Sequence, residues 1–116
     1  MVNSLKFWLA SIIEDDPLPD EIKTIVFNVG DNGKFLTLSM FGYETILNIN
    51  KMPYNPLEAQ FFFDKNSSKL PIQKYLIRLK NSLDECFIDK QLYNGFYKRK
   101  IYIRYKGEET FLFEVK

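Results

Sequence analysis

The residues able to do chemistry are few. No histidine occurs in the 116 residues, and Cys86 is the one cysteine. This removes the usual base of nucleophilic triads, the commonest metal ligand, the ordinary zinc sites and any intramolecular disulfide. Cys86 as a nucleophile would need a base beside it, and none is signalled. Its place in a stretch of helical period reads as a small core filler. Asp15, Asp16, Asp20 and Glu21 could in principle hold a divalent cation, but they straddle Pro17 and Pro19 without a recognised ligand spacing and read as solvated loop acids. The five glycines are scattered at turns, so no phosphate-cradling loop exists. The expectation is a protein with no catalytic residue, no metal site and no cofactor.

Two groups of residues suit binding instead. Lys98, Arg99, Lys100, Arg104 and Lys106, interleaved with Tyr97 and Tyr102, resemble a basic strand with aromatic platforms that could hold single-stranded nucleic acid. Against this, Glu108, Glu109 and Glu114 answer those charges, and the net charge of +1 with a pI near 7.7 provides no field to attract a polyanion. The second group is aromatic. Eleven Phe, seven Tyr and one Trp are more ring surface than a small core hides easily. In the strand registers read below, Ile22, Val26, Phe35, Phe41, Tyr43, Phe62, Tyr102 and Leu112 share the sheet face turned away from the helices. An apolar, aromatic face rimmed with charge marks a partner surface unless loops cover it. The partner-binding residues expected from this are Phe35, Phe41, Tyr43, Phe62, Tyr102 and Arg104.

These groups must be positioned by a single domain, because the length does not sustain two cores. Hydrophobic residues at 46% and charged residues at 27% are ordinary for a soluble globule. No apolar run reaches the roughly 18–20 residues of a membrane span. The N-terminal run MVNSLKFWLASIIEDD lacks the basic start and cleavage site of a signal peptide and reads as a helix of a cytoplasmic protein. In that helix Leu5, Trp8, Leu9 and Ile12 form one stripe, broadened by Phe7 and Ile13. Pro17 and Pro19 end it.

Ile22 to Tyr43 reads as a hairpin turning at Asn32-Gly33, a pair suited to a two-residue turn with positive φ at both centres. That turn sets Val29 opposite Leu36, Phe27 opposite Leu38 and Ile25 opposite Met40. Thr45 to Met52 and Leu57 to Phe63 read as third and fourth strands, separated by the prolines at 53 and 56. A second helix follows, with Ser68 as cap, Pro71 in its first turn and Ile72, Leu76, Leu79, Leu83 and Cys86 or Phe87 as its buried stripe. Asn94-Gly95 reads as a glycine stop. The chain closes with a hairpin whose loop, centred on Gly107-Glu108-Glu109, sets Tyr105 opposite Phe111, Ile103 opposite Phe113 and Ile101 opposite Val115. The order α-β-β-β-β-α-β-β predicts an α+β domain: a mostly antiparallel, twisted sheet of five or six strands with two helices on one face.

The run LPDEIKTIVFNVGDNGKFLTLSMFG, the helix IQKYLIRLKNSLDECF and the closing YIRYKGEETFLFEV together resemble small bacterial α+β proteins of the polymorphic-toxin immunity type. The resemblance lies in the order of elements over most of the chain, and no functional residue carries over from it. It implies a protein that neutralises a toxin by binding it, without catalysis. A nucleic-acid-binding module built on the basic hairpin, or a homodimer closed through the aromatic face, are the alternative readings.

Overall fold

The computed structural model describes residues 2–15, 17–31, 35–45, 54, 60–64 and 71–116, with the backbone alone at 60, 63 and 64. Its elements are α1 (Val2–Asp15), β1 (Thr24–Asp31), β2 (Phe35–Tyr43), β3 (Gln60–Asp64), α2 (Ile72–Cys86), α3 (Lys90–Gly95), β4 (Lys100–Tyr105) and β5 (Glu108–Glu114). Among the described residues the sheet has five strands in the order β3-β2-β1-β4-β5. The α+β class holds, with two corrections. The sheet is mixed, since β4 lies parallel to β1, and among the described residues there are three helices, not two. A parallel neighbour requires a crossover, and the α2–α3 segment supplies it by carrying the chain over one sheet face to the start of β4. The strand expected over Thr45 to Met52 lies outside the described residues beyond Thr45, as do the proposed cap Ser68 and residues 57–59 of the fourth strand.

Burial follows the helical period closely. α1 buries Leu5, Trp8, Leu9 and Ile12, and the Trp8 ring lies 6.2 Å from Phe27 and 5.5 Å from Phe61. Phe7, expected to widen that stripe, is 76% exposed. It sits one position before Trp8, about 100° round the helix. α2 buries Tyr75, Leu79, Leu83 and Cys86, with Ile72 and Leu76 half-buried and Phe87 also inside. Phe87 meets Phe96 at 5.1 Å and Phe113 at 5.8 Å, both edge-on. Pro71 is the N-cap of α2 and not part of its first turn. Asp89, which the sequence reading passed over, caps α3 by accepting from the amides of Gln91 and Leu92.

Both hairpins depart from the expected registers, with different consequences. In β1–β2, Val29 faces Leu38, Phe27 faces Met40 and Ile25 faces Gly42, a slip of two residues. Side chains alternate with period two, so an even slip moves none of them to the other face. Ile25, Phe27, Val29, Leu36, Leu38 and Met40 are all core, as alternation predicts. Asp31 pairs with Leu36 where a two-residue turn would set it against Lys34; residues 32–34 lie outside the described set.

The second hairpin slips by an odd number. Its turn is Lys106-Gly107, with φ of 51° and 82°, the two-residue geometry that matches strand twist. This sets Tyr102 opposite Phe111 and Ile103 opposite Thr110, until an irregularity between Ile101 and Tyr102 sets Ile101 opposite Phe113, two residues from the expected Val115. An odd slip exchanges faces, and the bulge exchanges them back. Phe111 therefore leaves the expected core face, while Leu112 packs against the core it was expected to face away from.

Gly95 is likewise not the left-handed stop its neighbours suggested. Its φ is not positive, and a Cβ there would lie 2.5 Å from Cδ1 and 2.8 Å from Cγ2 of Ile13. Glycine is needed at that position because α3 approaches α1 closely.

Candidate functional site

The helices cover one face of the sheet, whose residues form the main core with them. Val26 and Tyr43 belong to the other face and lie outside that core cluster, while Ile22, expected beside them, packs within it. Among the described residues no helix packs on this second face. Its side chains can be placed row by row from the registers. One row runs Phe111–Tyr102–Val26–Phe41, the next Glu109–Arg104–Asn28–Ser39, and beyond it Gly30, Thr37 and Phe62.

Of the six residues expected to contact a partner, Phe62 is the most exposed, at 59%. Phe35, Phe41, Tyr102 and Arg104 are half-buried. Tyr43 is only 5% exposed, and its hydroxyl accepts a hydrogen bond at 3.3 Å from a terminal guanidinium nitrogen of Arg104. The Arg104 Nε lies 3.1 Å from Glu109 Oε1, although its N–H is not aimed well enough to count as a hydrogen bond. Tyr43 is two strands and two rows away from Arg104, and Val26 occupies the midpoint of that diagonal. The Arg104–Tyr43 bridge therefore roofs Val26, which is fully buried between Phe41 and Tyr102. Register arithmetic supplied each residue's face. The bridge between them was not legible, because it depends on which strand lies between β2 and β4.

Sequence reasoning also missed Phe111. It is 51% exposed and its ring stands edge-on to Tyr102 at 5.3 Å. The turn signal Lys106-Gly107 could have found it. Phe62 on β3 and Phe111 on β5 stand on the two edge strands, four strand spacings apart, which is roughly 19 Å across the sheet. The face thus has an exposed ring at each edge and an ion-paired, hydrogen-bonded centre.

The basic strand does not persist as a stripe. Arg99 is 9% exposed and turns inward, donating from Nε to the Ile22 carbonyl at 2.8 Å and from its terminal nitrogens to those of Pro19 at 3.0 Å, Tyr97 at 3.3 Å and Leu18 at 3.5 Å. Arg104 is engaged by Glu109 and Tyr43, and the Lys106 ammonium lies 5.5 Å from the Tyr105 ring centroid in the turn. Lys98 and Lys100 alone of the five point towards the start of the sheet. There they join Lys23 and Lys116 around a hollow of about 750 Å³.

The remaining chemistry-bearing groups stand apart. Asp15, Asp20 and Glu21 are exposed, and Asp16 lies outside the described residues. Cys86 is buried, its thiol 3.8 Å from the Val2 carbonyl, and burial pushes its pKa up to about 11. A protonated, buried thiol is a poor nucleophile. No helix among the described residues is long and apolar enough to cross a membrane. Comparison with known proteins returns no match among family models, curated sequences or solved structures.

Proposed function

We propose that this chain is a non-catalytic protein-binding domain that docks a partner on the second face of its sheet. The immunity-type reading, in which the partner is a toxin held inactive by occupation of its surface, is the form best suited to the element order. One observation carries the proposal: Phe62 and Phe111 stand exposed at opposite edges of a face that no described helix covers, around a centre already ordered by Arg104, Tyr43 and Glu109. Rings provide contact area at small entropic cost, and a prearranged polar centre loses little on docking. Tyr43 and Arg104 close over Val26, and Phe41 and Tyr102 flank it on either side.

The test is site-specific photocrosslinking from positions 62 and 111 in the native host, with the captured protein identified and its affinity then measured on purified components. Phe62→Ser with Phe111→Ser should weaken that affinity at least tenfold while the circular dichroism spectrum and thermal midpoint stay in place. Unchanged affinity in the folded double variant refutes the face. Light scattering decides whether the partner is a second copy of the chain.

A further inference from the structure

The hollow at the start of the sheet is built from several chain segments that meet there. The backbone amide of Lys23 donates to the Tyr43 carbonyl at 3.1 Å, and that of Lys100 donates to the Lys23 carbonyl at 2.9 Å. Its lining includes Lys23, Lys98, Lys100 and Lys116, against Glu44 and Glu114. Among the described lining residues, four lysine side chains face two glutamates. None of these lysines forms an ion pair among the described residues, although Lys98 lies 5.5 Å from the ring centroid of Tyr97. Tyr97 and Tyr102 add two aromatic rings to the lining. The volume falls within the range of small-molecule sites, about 300–1,000 Å³.

The backbone at Lys98 is a second, independent observation. Its φ is 66°, and it is the third residue of a turn closed by the Arg99 amide on the Phe96 carbonyl at 3.0 Å. That position ordinarily takes Gly or Asn, which carry a left-handed φ without steric cost. A lysine held there is strained, and the strain persists because Arg99 is anchored inward and the Lys98 amide is bonded to the Val115 carbonyl at 2.6 Å. The same inward turn of Arg99 sends its neighbours Lys98 and Lys100 outward to the hollow.

We infer that this hollow binds a small phosphorylated ligand bearing a planar ring, of the nucleoside monophosphate class. The phosphate dianion sits among Lys23, Lys98 and Lys100, where lysines outnumber the glutamates, and the ring lies against Tyr97 or Tyr102. This does not rest on the partner reading, whose test uses Phe62 and Phe111, although Tyr102 borders both surfaces.

The test is titration of the isotope-labelled chain with adenosine 5′-monophosphate at low salt, followed by amide chemical shifts. Shifts should concentrate at Lys23, Thr24, Thr45 and Tyr97 to Lys100, and they should weaken as salt is raised. Lys98→Gly and Lys100→Gln should each weaken binding about tenfold. Lys98→Gly removes the strain along with the charge, so it should do this without lowering the thermal midpoint. Glu114→Gln should tighten binding. Adenosine or inorganic phosphate alone should bind more weakly than the monophosphate. The inference is overturned if these amides stay unmoved at millimolar ligand, or if the two lysine variants titrate like the parent. Inorganic phosphate binding as well as the nucleotide would remove the ring from the assignment. An oligothymidylate binding far more tightly through the same residues would replace the small ligand with a strand.

Discussion

Arg99 offers the sharpest test of how this fold is held. Its guanidinium has no carboxylate partner within reach among the described residues; its charge is solvated by the carbonyl dipoles of Leu18, Pro19, Ile22 and Tyr97. Three of these acceptors belong to the segment joining α1 to β1, so one side chain fastens that connector to the start of β4. Replacing it by methionine keeps much of the apolar stem and removes every donor. The two shorter bonds, at 2.8 and 3.0 Å, are each worth about 1.5–3 kcal/mol as bonds from a charged donor, and the two longer ones less. Relief of the buried charge's desolvation offsets part of the loss, which leaves Arg99→Met destabilising by about 3 kcal/mol. At about 4 °C per kcal/mol for a chain of this size, the thermal midpoint should fall by about 12 °C. Arg99→Lys keeps the charge but can reach only one or two carbonyls, so it should recover less than half of that. The assay is urea unfolding followed by far-ultraviolet circular dichroism, with the slope against denaturant required to stay constant. Arg99→Met within about 1 kcal/mol of the parent, at unchanged slope, refutes the staple and shows the connector to be held by Leu18 and Ile22 packing alone.

Other expectations follow from single contacts. Gly95→Ala should cost about 1–3 kcal/mol in urea unfolding, because its Cβ would press into Ile13 on the facing helix; loss of a left-handed stop would instead be rescued by Gly95→Asn, which should fare worse than alanine here. Lys98→Gly should leave stability unchanged or raise it by up to about 1 kcal/mol, measured by thermal unfolding, since it releases a strained φ of 66°. The Cys86 thiol, raised chiefly by burial and lowered in part by Lys6, holds its proton to about pH 11 in the folded chain, while the unfolded chain releases it near 9.0. The unfolded state therefore binds fewer protons through that window, and Cys86 should lower the stability of the fold as pH rises from about 9 to about 11. The stability difference between the parent and Cys86→Ala, followed against pH, should be flat below that window and shrink within it. In the native state the same thiol should resist a disulfide reagent that modifies it at once in denaturant.

Local pattern alone determined much of this protein. The stripe of α1, the outer surface of α2 and the inward side of β1 and β2 all follow from spacings of three, four and two, because those periods are set by backbone geometry within one element. Even a register slip of two left the first hairpin's faces intact, since alternation cannot sense an even shift. What the pattern could not determine was anything resting on contact between distant elements. The parallel seat of β4 beside β1 depends on where the helical crossover sets the chain down. Gly95 owes its place to Ile13, about eighty residues away along the chain, and Arg99 left the basic strand because its acceptors lie in the connector after α1. The second hairpin combined both kinds of information. Its two-residue turn was written locally at Lys106-Gly107, but the bulge that returned Phe113 and Val115 to the core answers a demand for burial that only the assembled sheet imposes.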